Sequence, residues 1–185
     1  SNGLVGKGTR SILPGSGVNT HRFNPKSYQN HASSLTPSDV NVLRKTKFTF
    51  LFSARLLLEK GIREYINAAR EICLEFECVE FKVLGKHTGS TAEIPREELE
   101  KACSEGVIQY LGVTDDVVSV LHGVDCFVLP SYYREGVPRS LLEAGSCGLP
   151  LITTDSVGCR ETVIDGVNGF LVMPQNYVSL TDAIK

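Results

Sequence analysis

Residues 125–144 read DCFVLPSYYREGVPRSLLEA and join a strand pattern to a helix pattern through a short loop. The run Cys126–Leu129 is apolar and stops at Pro130, which is typical of a buried strand. In the loop, Gly136 permits unusual dihedrals, and Pro138 suits the first helical position, where its missing N–H needs no partner. The free amides of that first turn carry a partial positive charge. The segment therefore predicts a binding site for an anion such as a phosphate.

The same alternation of strand and helix patterns extends over most of the chain. We expect strands at 48–54, 79–84, 107–110, 126–129, 151–154 and 169–172. Helix patterns lie between and after them, at 60–77, 95–104, 115–122, 138–147 and 177–185. Such alternation implies a Rossmann-like α/β fold, a parallel sheet with helices on both faces. Ligands of these sheets bind beyond the carboxyl ends of the strands, where Arg55, Gly85 and Glu135 fall.

The overall composition restricts the classes of function. The 185 residues are enough for one domain, and a net charge of -2 with 42% hydrophobic residues gives no electrostatic reason to bind nucleic acid. The apolar stretches are strand-sized, well below the roughly 18 residues of a spanning helix. The six cysteines lack metal-ligand spacing, which favours free thiols in a reducing cytoplasm. We therefore expect a soluble, cytoplasmic chain without a disulfide framework or a zinc site.

Two carboxylates, Glu135 and Glu143, stand eight positions apart across the predicted helix start. This arrangement resembles the Glu-x(7)-Glu signature of the retaining glycosyltransferases of family 4, which have the GT-B fold and use nucleotide-sugar donors. Residues 50–61, FLFSARLLLEKG, resemble that family's strand, Arg-x(4)-Lys and glycine element. Residues 148–154, 158–163 and 166–172 continue the resemblance in the expected order. It runs from about residue 12 to the end and implies the C-terminal, nucleotide-binding half of a GT-B enzyme.

Residues 1–47 differ in composition from the rest of the chain. They are rich in Gly, Ser, Asn, Pro and Thr, with little periodicity. They resemble the junction through which the acceptor-binding half of these enzymes enters the nucleotide-binding half. We therefore expect residues 1–47 to be a connector from an N-terminal acceptor domain that is missing here. Residues 48–185 would then be the donor-binding domain, truncated at its C-terminal helix.

The resemblance implies three catalytic residues. Arg55 and Lys60 match the family's pair that contacts the diphosphate, for which Arg supplies a planar fork and Lys a point charge. Glu135 matches the first signature glutamate, beside the transferred sugar. Two alternatives remain open: Arg55 and Lys60 could be solvated surface cations around Glu59, and Glu135 could merely stabilise a helix start.

The donor-binding residues follow from the same resemblance. Glu143 matches the carboxylate that accepts hydrogen bonds from both ribose hydroxyls, because it offers two acceptor oxygens to a diol. The alternative is an ion pair with Arg139, of about 0.2–0.5 kcal/mol and in the less favourable order on a helix, so we favour ribose. The remaining predicted contacts are the backbone amides of Gly136, Val137 and Arg139 to sugar and phosphate, and Tyr110 or Leu111 against the base.

Other side chains at the same strand ends leave alternatives open. His87 could approach the nucleotide or belong to an ordinary surface loop. Asp155 and Glu161 could orient the donor, although capping a short helix explains Glu161 nearly as well.

The predicted function is transfer of a hexose or N-acetylhexosamine from a nucleotide sugar, most simply a UDP-linked one. The acceptor would be a glycan or polyprenyl-linked glycan, bound by the missing domain, in bacterial capsule or other surface-polysaccharide synthesis. No metal cofactor is expected, because cations and a helix N-terminus can stabilise the leaving diphosphate. The full-length enzyme could associate peripherally with the inner face of the membrane. Alternatives are a starch, glycogen or sucrose-type transferase and a non-catalytic nucleotide-binding domain.

Overall fold

The structure is a computed structural model that describes residues 17–25 and 47–185. Its centre is a sheet whose strands run in the spatial order β3-β2-β1-β4-β5-β6, and every pair of neighbours is parallel. The strands are β1 (Phe48–Ser53), β2 (Val79–Leu84), β3 (Gln109–Gly112), β4 (Cys126–Leu129), β5 (Leu151–Thr154) and β6 (Gly169–Val172).

Helices cover both faces of this sheet. They are α1 (Ile62–Glu75), α2 (Arg96–Ser104), α3 (Val117–His122), α4 (Arg139–Ser146) and α5 (Tyr177–Ile184), with short 3-10 helices at Leu58–Lys60 and Arg160–Thr162. All residues of β4 and β5 are buried. Because neighbouring strand residues point to opposite faces, burial of all of them requires a layer on each side. The predicted Rossmann-like fold is therefore confirmed.

An aromatic cluster attaches α1 to the centre of the sheet. The ring of Tyr65 on α1 lies 5.5 Å from that of Phe52 and 5.6 Å from that of Phe81, measured between centroids. Its hydroxyl donates to the carbonyl oxygens of Phe50 and Lys82, both at 3.0 Å. Burial raises the pKa of Tyr65 well above its ordinary value, so the phenol stays protonated as a donor. This contact fixes the height of α1 along β1 and β2.

Strand β3 begins two residues later than the sequence predicts. The apolar residues Val107 and Ile108 suggested a strand over 107–110, but their amides donate to the Ala102 carbonyl at 3.0 and 3.4 Å. These two residues therefore close the end of α2, and pairing with β2 starts at Gln109.

The helix predicted over 60–77 is divided. Gly61 has a φ of 80°, in the left-handed region, so the chain forms a 3-10 turn that ends at Lys60 and starts α1 at Ile62. Lys60 consequently lies outside α1, in the connection from β1.

Residues 17–25 pack against the domain. Phe23 is buried in the same core as the sheet. The Ser146 hydroxyl donates to the Phe23 carbonyl at 2.5 Å, and His122 Nε2 donates to the Asn24 carbonyl at 3.2 Å. The rest of the predicted connector, apart from Lys47, lies outside the described residues. The division of the chain at residue 47 stays a prediction.

Candidate functional site

The order of the strands reverses between β1 and β4. From β1 the chain builds outward through β2 to β3, and from β4 it builds the other way through β5 to β6. Connections that leave neighbouring strands in opposite directions open a crevice at the carboxyl edge, which is where doubly wound sheets bind ligands. Two segments enter this crevice: residues 54–61 after β1, here the first-strand loop, and residues 130–138 after β4, here the signature loop.

Backbone contacts join these two loops into one unit. The amides of Tyr132 and Tyr133 both donate to the Glu59 carbonyl at 2.9 Å. Gly61 makes the closest approach, because a Cβ added there would lie 2.2 Å from the Pro130 carbonyl oxygen. A side chain at Gly61 would therefore separate the loops. The predicted Arg-Lys element and the predicted signature loop are adjacent in the fold.

Lys60 and Glu135 form an ion pair within this unit. The Lys60 side chain is 8% exposed and that of Glu135 27% exposed. The Lys60 ammonium also lies 4.9 Å from the centroid of the Tyr133 ring, within range of a cation–π interaction. A buried ammonium needs a partner of opposite charge. Lys60 is therefore not a solvated surface cation, which was the alternative open from the sequence.

Arg55 behaves differently from Lys60. It lies two residues after the end of β1, is exposed, and makes no hydrogen bond or ion pair with any residue that the structure describes. Its guanidinium is free to bind an incoming anion from that edge of the sheet. The structure thus places one predicted cation in a fixed pair and leaves the other exposed.

The signature loop offers unoccupied backbone donors. Among the described residues, none accepts a hydrogen bond from the amides of Gly136, Val137 or Arg139. Helix α4 starts at Arg139, so these amides lie at or just before a helix N-terminus, the position that favours an anion.

The end of β5 supports the signature loop from behind. The Ser131 carbonyl accepts hydrogen bonds from Thr154 and Ser156, the latter at 3.0 Å. Gly158 has a φ of 86°, and a Cβ there would lie 2.4 Å from the Gly136 carbonyl oxygen. These contacts fix the loop that carries Glu135. The sequence analysis assigned no such role to these residues.

Glu143 lies in the second turn of α4, half-buried, with its Oε1 3.5 Å from Arg139 Nη2. Burial raises the pKa of Glu143, and the nearby charges of Arg139 and Arg22 offset part of that rise. The ion pair that the sequence analysis set aside is therefore present. The ribose contact of Glu143 stays a prediction.

Tyr110 and Leu111 both lie within β3, whereas the prediction placed the end of the strand at Tyr110. They are half-buried and pack against the core. The Tyr110 hydroxyl donates to the Gly85 carbonyl at 2.8 Å, so it is already engaged between β3 and the end of β2. Their contact with a base stays a prediction.

The remaining candidates are held by local contacts. His87 Nε2 donates to the Ile94 carbonyl at 2.9 Å, within the loop after β2. Asp155 pairs with Arg160 at 3.1 Å, and Glu161 is exposed in the 3-10 helix Arg160–Thr162. In residues 17–25 and 47–185, no three His, Cys, Asp or Glu side chains come together to hold a metal ion. None of the helices in these ranges is long and apolar enough to cross a membrane.

Sequence reasoning missed Glu93. Its carboxylate is buried at 5% exposure and accepts from the amides of Thr88, Gly89 and Ser90 at 2.8, 3.0 and 3.3 Å. Burial acts to raise its pKa, but these hydrogen bonds outweigh it and lower the pKa. The Ser90-x-x-Glu93 spacing, which resembles a capping box, was the available signal.

An open, doubly wound parallel sheet with cations and free amides at its switch point is an arrangement found in α/β domains that bind phosphorylated ligands. Within that class the family is clear. Residues 36–185 match the family model for glycosyl transferases group 1, and the chain belongs to that family.

Curated relatives are bacterial glycosyltransferases and glycogen synthases. The chain is 29% identical over 174 residues to the Campylobacter jejuni N,N'-diacetylbacillosaminyl-diphospho-undecaprenol alpha-1,3-N-acetylgalactosaminyltransferase, covering 94% of this chain and 44% of that protein. It is 28% identical over 137 residues to the glycogen synthase of Mycobacterium tuberculosis, covering 73% of this chain and 32% of that protein. The chain thus spans less than half the length of both relatives.

Solved structures support the fold. The crystal structure of Anabaena Alr3699/HepE in complex with UDP and glucose aligns with a TM-score of 0.69 at 23% identity, covering 91% of this chain and 44% of that chain. At that identity the similarity shows the fold alone.

Proposed function

We propose that this chain is the donor-binding domain of a retaining family 4 glycosyltransferase of the GT-B fold, the C-terminal half of a longer enzyme. It binds a nucleotide sugar, UDP-linked, in the crevice between β1 and β4. The observation that carries this proposal is the ion pair of the buried Lys60 with the half-buried Glu135, next to the free amides of Gly136 and Val137. It brings a cation, a carboxylate and anion-binding donors from two loops to one point.

In this proposal the leaving diphosphate is bound by positive charge and oriented dipoles. Arg55 presents an exposed guanidinium, which can bind phosphate oxygens in a fork geometry. Lys60 supplies a second charge from a largely buried position, where its field is less screened by solvent. The amides at the start of α4 add donors. Such an arrangement stabilises the charge that develops as the bond to the sugar breaks, without requiring a metal.

The two carboxylates have different roles. Glu135 lies beside the transferred sugar and accepts from its hydroxyls, while its pairing with Lys60 holds it in place. Glu143 binds the ribose diol, to which its carboxylate offers two acceptor oxygens. The acceptor hydroxyl attacks from the face that the diphosphate leaves, and a phosphate oxygen takes its proton, so no side-chain base is needed.

The substrate class rests on the relatives. The Campylobacter jejuni relative is named for transfer to a diphospho-undecaprenol-linked sugar, and the Anabaena structure contains UDP and glucose. We infer a hexose or N-acetylhexosamine donor and a glycan or polyprenyl-linked acceptor bound by another domain. The full-length enzyme would then work on the cytoplasmic side of the membrane, associated peripherally. This chain alone should bind nucleotide weakly and catalyse no transfer, because half of the cleft is absent.

A second candidate is a glycogen-type transferase with an adenosine donor, which the similarity to the mycobacterial glycogen synthase favours. The two candidates share the diphosphate site and differ in the base.

Calorimetric titration with UDP, ADP and GDP tests both. We expect the highest affinity for UDP, with UDP-N-acetylhexosamines or UDP-hexoses binding in the same site by competition. A preference for ADP would favour the glycogen-type candidate. Absence of binding by all three nucleotides, from protein shown to be folded, would remove the donor-binding proposal.

A further inference from the structure

The loop after β2, residues 85–95 and here the second-strand loop, pairs with the first-strand loop. The Leu58 amide donates to the Ala92 carbonyl and the Ile94 amide to the Leu56 carbonyl, both at 2.9 Å. Leu57 and Glu93 face each other in an antiparallel bridge. The paired stretch 56–58 lies between Arg55 and Lys60 in the chain. Whatever fixes the second-strand loop therefore also fixes the backbone that carries both cations.

The second-strand loop also contacts the chain just before Arg55. A Cβ added at Gly85 would lie 1.9 Å from the Ala54 carbonyl oxygen, so the two backbones meet there without room for a side chain. Contacts at both ends of the first-strand loop leave it little freedom to shift independently.

Glu93 is the side chain that holds the second-strand loop together. Its carboxylate accepts from three successive amides, Thr88, Gly89 and Ser90, and from the Thr88 hydroxyl at 3.0 Å. Successive backbone N–H groups that converge on one anion form a nest. Here the anion is the Glu93 carboxylate itself, and the backbone donors of its own loop stabilise its charge.

We propose that Glu93 is a positioning residue for the diphosphate site. By fixing residues 88–90 it holds residues 92–94 against 56–58, and this pairing places Arg55 and Lys60. The inference rests on the proposed function. Glu93 itself makes no contact with the donor and acts only through the two loops.

The test compares Glu93→Gln with Glu97→Gln. Glutamine keeps the size of Glu93 but is neutral. Its one oxygen can still accept from the three amides that Oε2 serves, but without the charge that strengthens these bonds, and its NH₂ group replaces the acceptor of the Thr88 hydroxyl. Glu97 is exposed in the first turn of α2, and its replacement removes the same charge. We expect Glu93→Gln to lower UDP affinity about tenfold by calorimetry, and Glu97→Gln to change it less than about twofold. Uridine, followed by ligand-detected NMR, should bind both variants equally.

Equal UDP affinities in the two variants would overturn the proposal. So would an equal loss for UDP and uridine, because that would indicate general damage to the domain. If Glu93→Gln fails to fold, Glu93→Asp keeps the charge with a shorter reach and should show a partial, UDP-specific loss; an unchanged UDP affinity in that variant would count against the proposal.

Amide hydrogen exchange separates this inference from the proposed function, because it needs no nucleotide. In the ligand-free protein, exchange at Thr88, Gly89 and Ser90 should be about tenfold faster in Glu93→Gln than in Glu97→Gln. Unchanged exchange would refute the role of Glu93 in the loop. Absence of UDP binding by the unaltered protein would instead remove the proposed function, and the positioning role with it.

Discussion

The two edges of the sheet offer different kinds of surface. At the carboxyl edge, the first-strand and signature loops bring together Arg55, Lys60, Glu135 and free amides. At the amino edge lies a groove of about 1010 Å³, lined mainly by apolar residues and including Phe48, Phe50, Leu149, Val167 and Phe170. This groove thus lies at the edge with the less polar chemistry.

If the donor binds at the carboxyl edge, as proposed, then cavity size does not locate the site of this polar ligand. In a parallel sheet the helices that follow the strands begin at the carboxyl edge, so their free N–H groups gather there. A phosphate needs such donors and nearby cations. The amino edge, with its exposed rings, offers mainly apolar contacts.

The largest effect is expected from a substitution that adds a side chain where the first-strand loop and the signature loop touch. In Gly61→Ala a Cβ would lie 2.2 Å from the Pro130 oxygen, and the φ of 80° adds strain. We expect a loss of unfolding free energy of about 3 kcal/mol or more. Gly89→Ala is the matched control, with a φ of 81° and nothing within 4 Å, and should lose only ~1–2 kcal/mol. Urea unfolding measures both, and similar losses would contradict the steric account.

The same substitution at opposite edges tests the assignment of the site. Lys60→Met removes the buried charge and leaves Glu135 unpaired, so UDP affinity should fall by about 2 kcal/mol or more. Lys185→Met removes a cation that lines the amino-edge groove and pairs with Glu75, and should leave UDP affinity unchanged. Calorimetric titration with UDP measures both affinities. A larger loss of affinity in Lys185→Met than in Lys60→Met would place the nucleotide site at the amino edge.

A smaller, pH-dependent effect is expected from Glu143. Because burial raises its pKa above the ordinary 4.5, Glu143 takes up a proton at a higher pH than an exposed glutamate. The folded chain then binds this proton before the unfolded chain does, so acid does not destabilise the fold through this group. Protonation removes acceptor capacity, so the preference for UDP over 2′-deoxy-UDP should weaken by about 1–2 kcal/mol as the pH falls from neutral toward 4.5. In Glu143→Gln this preference should not vary with pH.

The smallest effect is expected at the amino edge. Phe170 is 50% exposed in the groove, so Phe170→Ser should lower unfolding free energy by no more than about 1 kcal/mol. UDP affinity should stay within about twofold. A clear loss of nucleotide binding in this variant would mean that the two edges are coupled.

Strand β4 was predictable because burial on both faces leaves a continuous apolar run, CFVL. Strand β2 was predictable from the alternation of apolar residues with Glu80 and Lys82. The bounds of β2, β4, β5 and β6 agree with the prediction residue by residue. The start of β3 was not predictable in this way. Val107 and Ile108 are apolar like strand residues, but their amides bond to the Ala102 carbonyl and so belong to the end of α2. The division at Gly61 depends on a left-handed φ that periodicity does not report.

At the candidate site the sequence supplied residue types, while the structure supplied their partners. That Lys60 is buried and pairs with Glu135 follows from the packing of two loops distant in sequence. Glu93 could not be ranked above other acidic residues, because its partners are backbone amides of a loop with no regular pattern. The Arg139–Glu143 contact was discounted on average energies, which do not determine whether a particular pair forms.

The Lys60–Glu135 pair also bears on which solutes can enter the crevice. With its counter-ion supplied internally, the ammonium is electrically balanced before any solute arrives. A small inorganic ion gains little by displacing Glu135, because it would leave that carboxylate without compensation. A donor whose sugar hydroxyls occupy Glu135 while its phosphates take Lys60 satisfies both groups at once. We expect such discrimination to keep free phosphate out of the crevice.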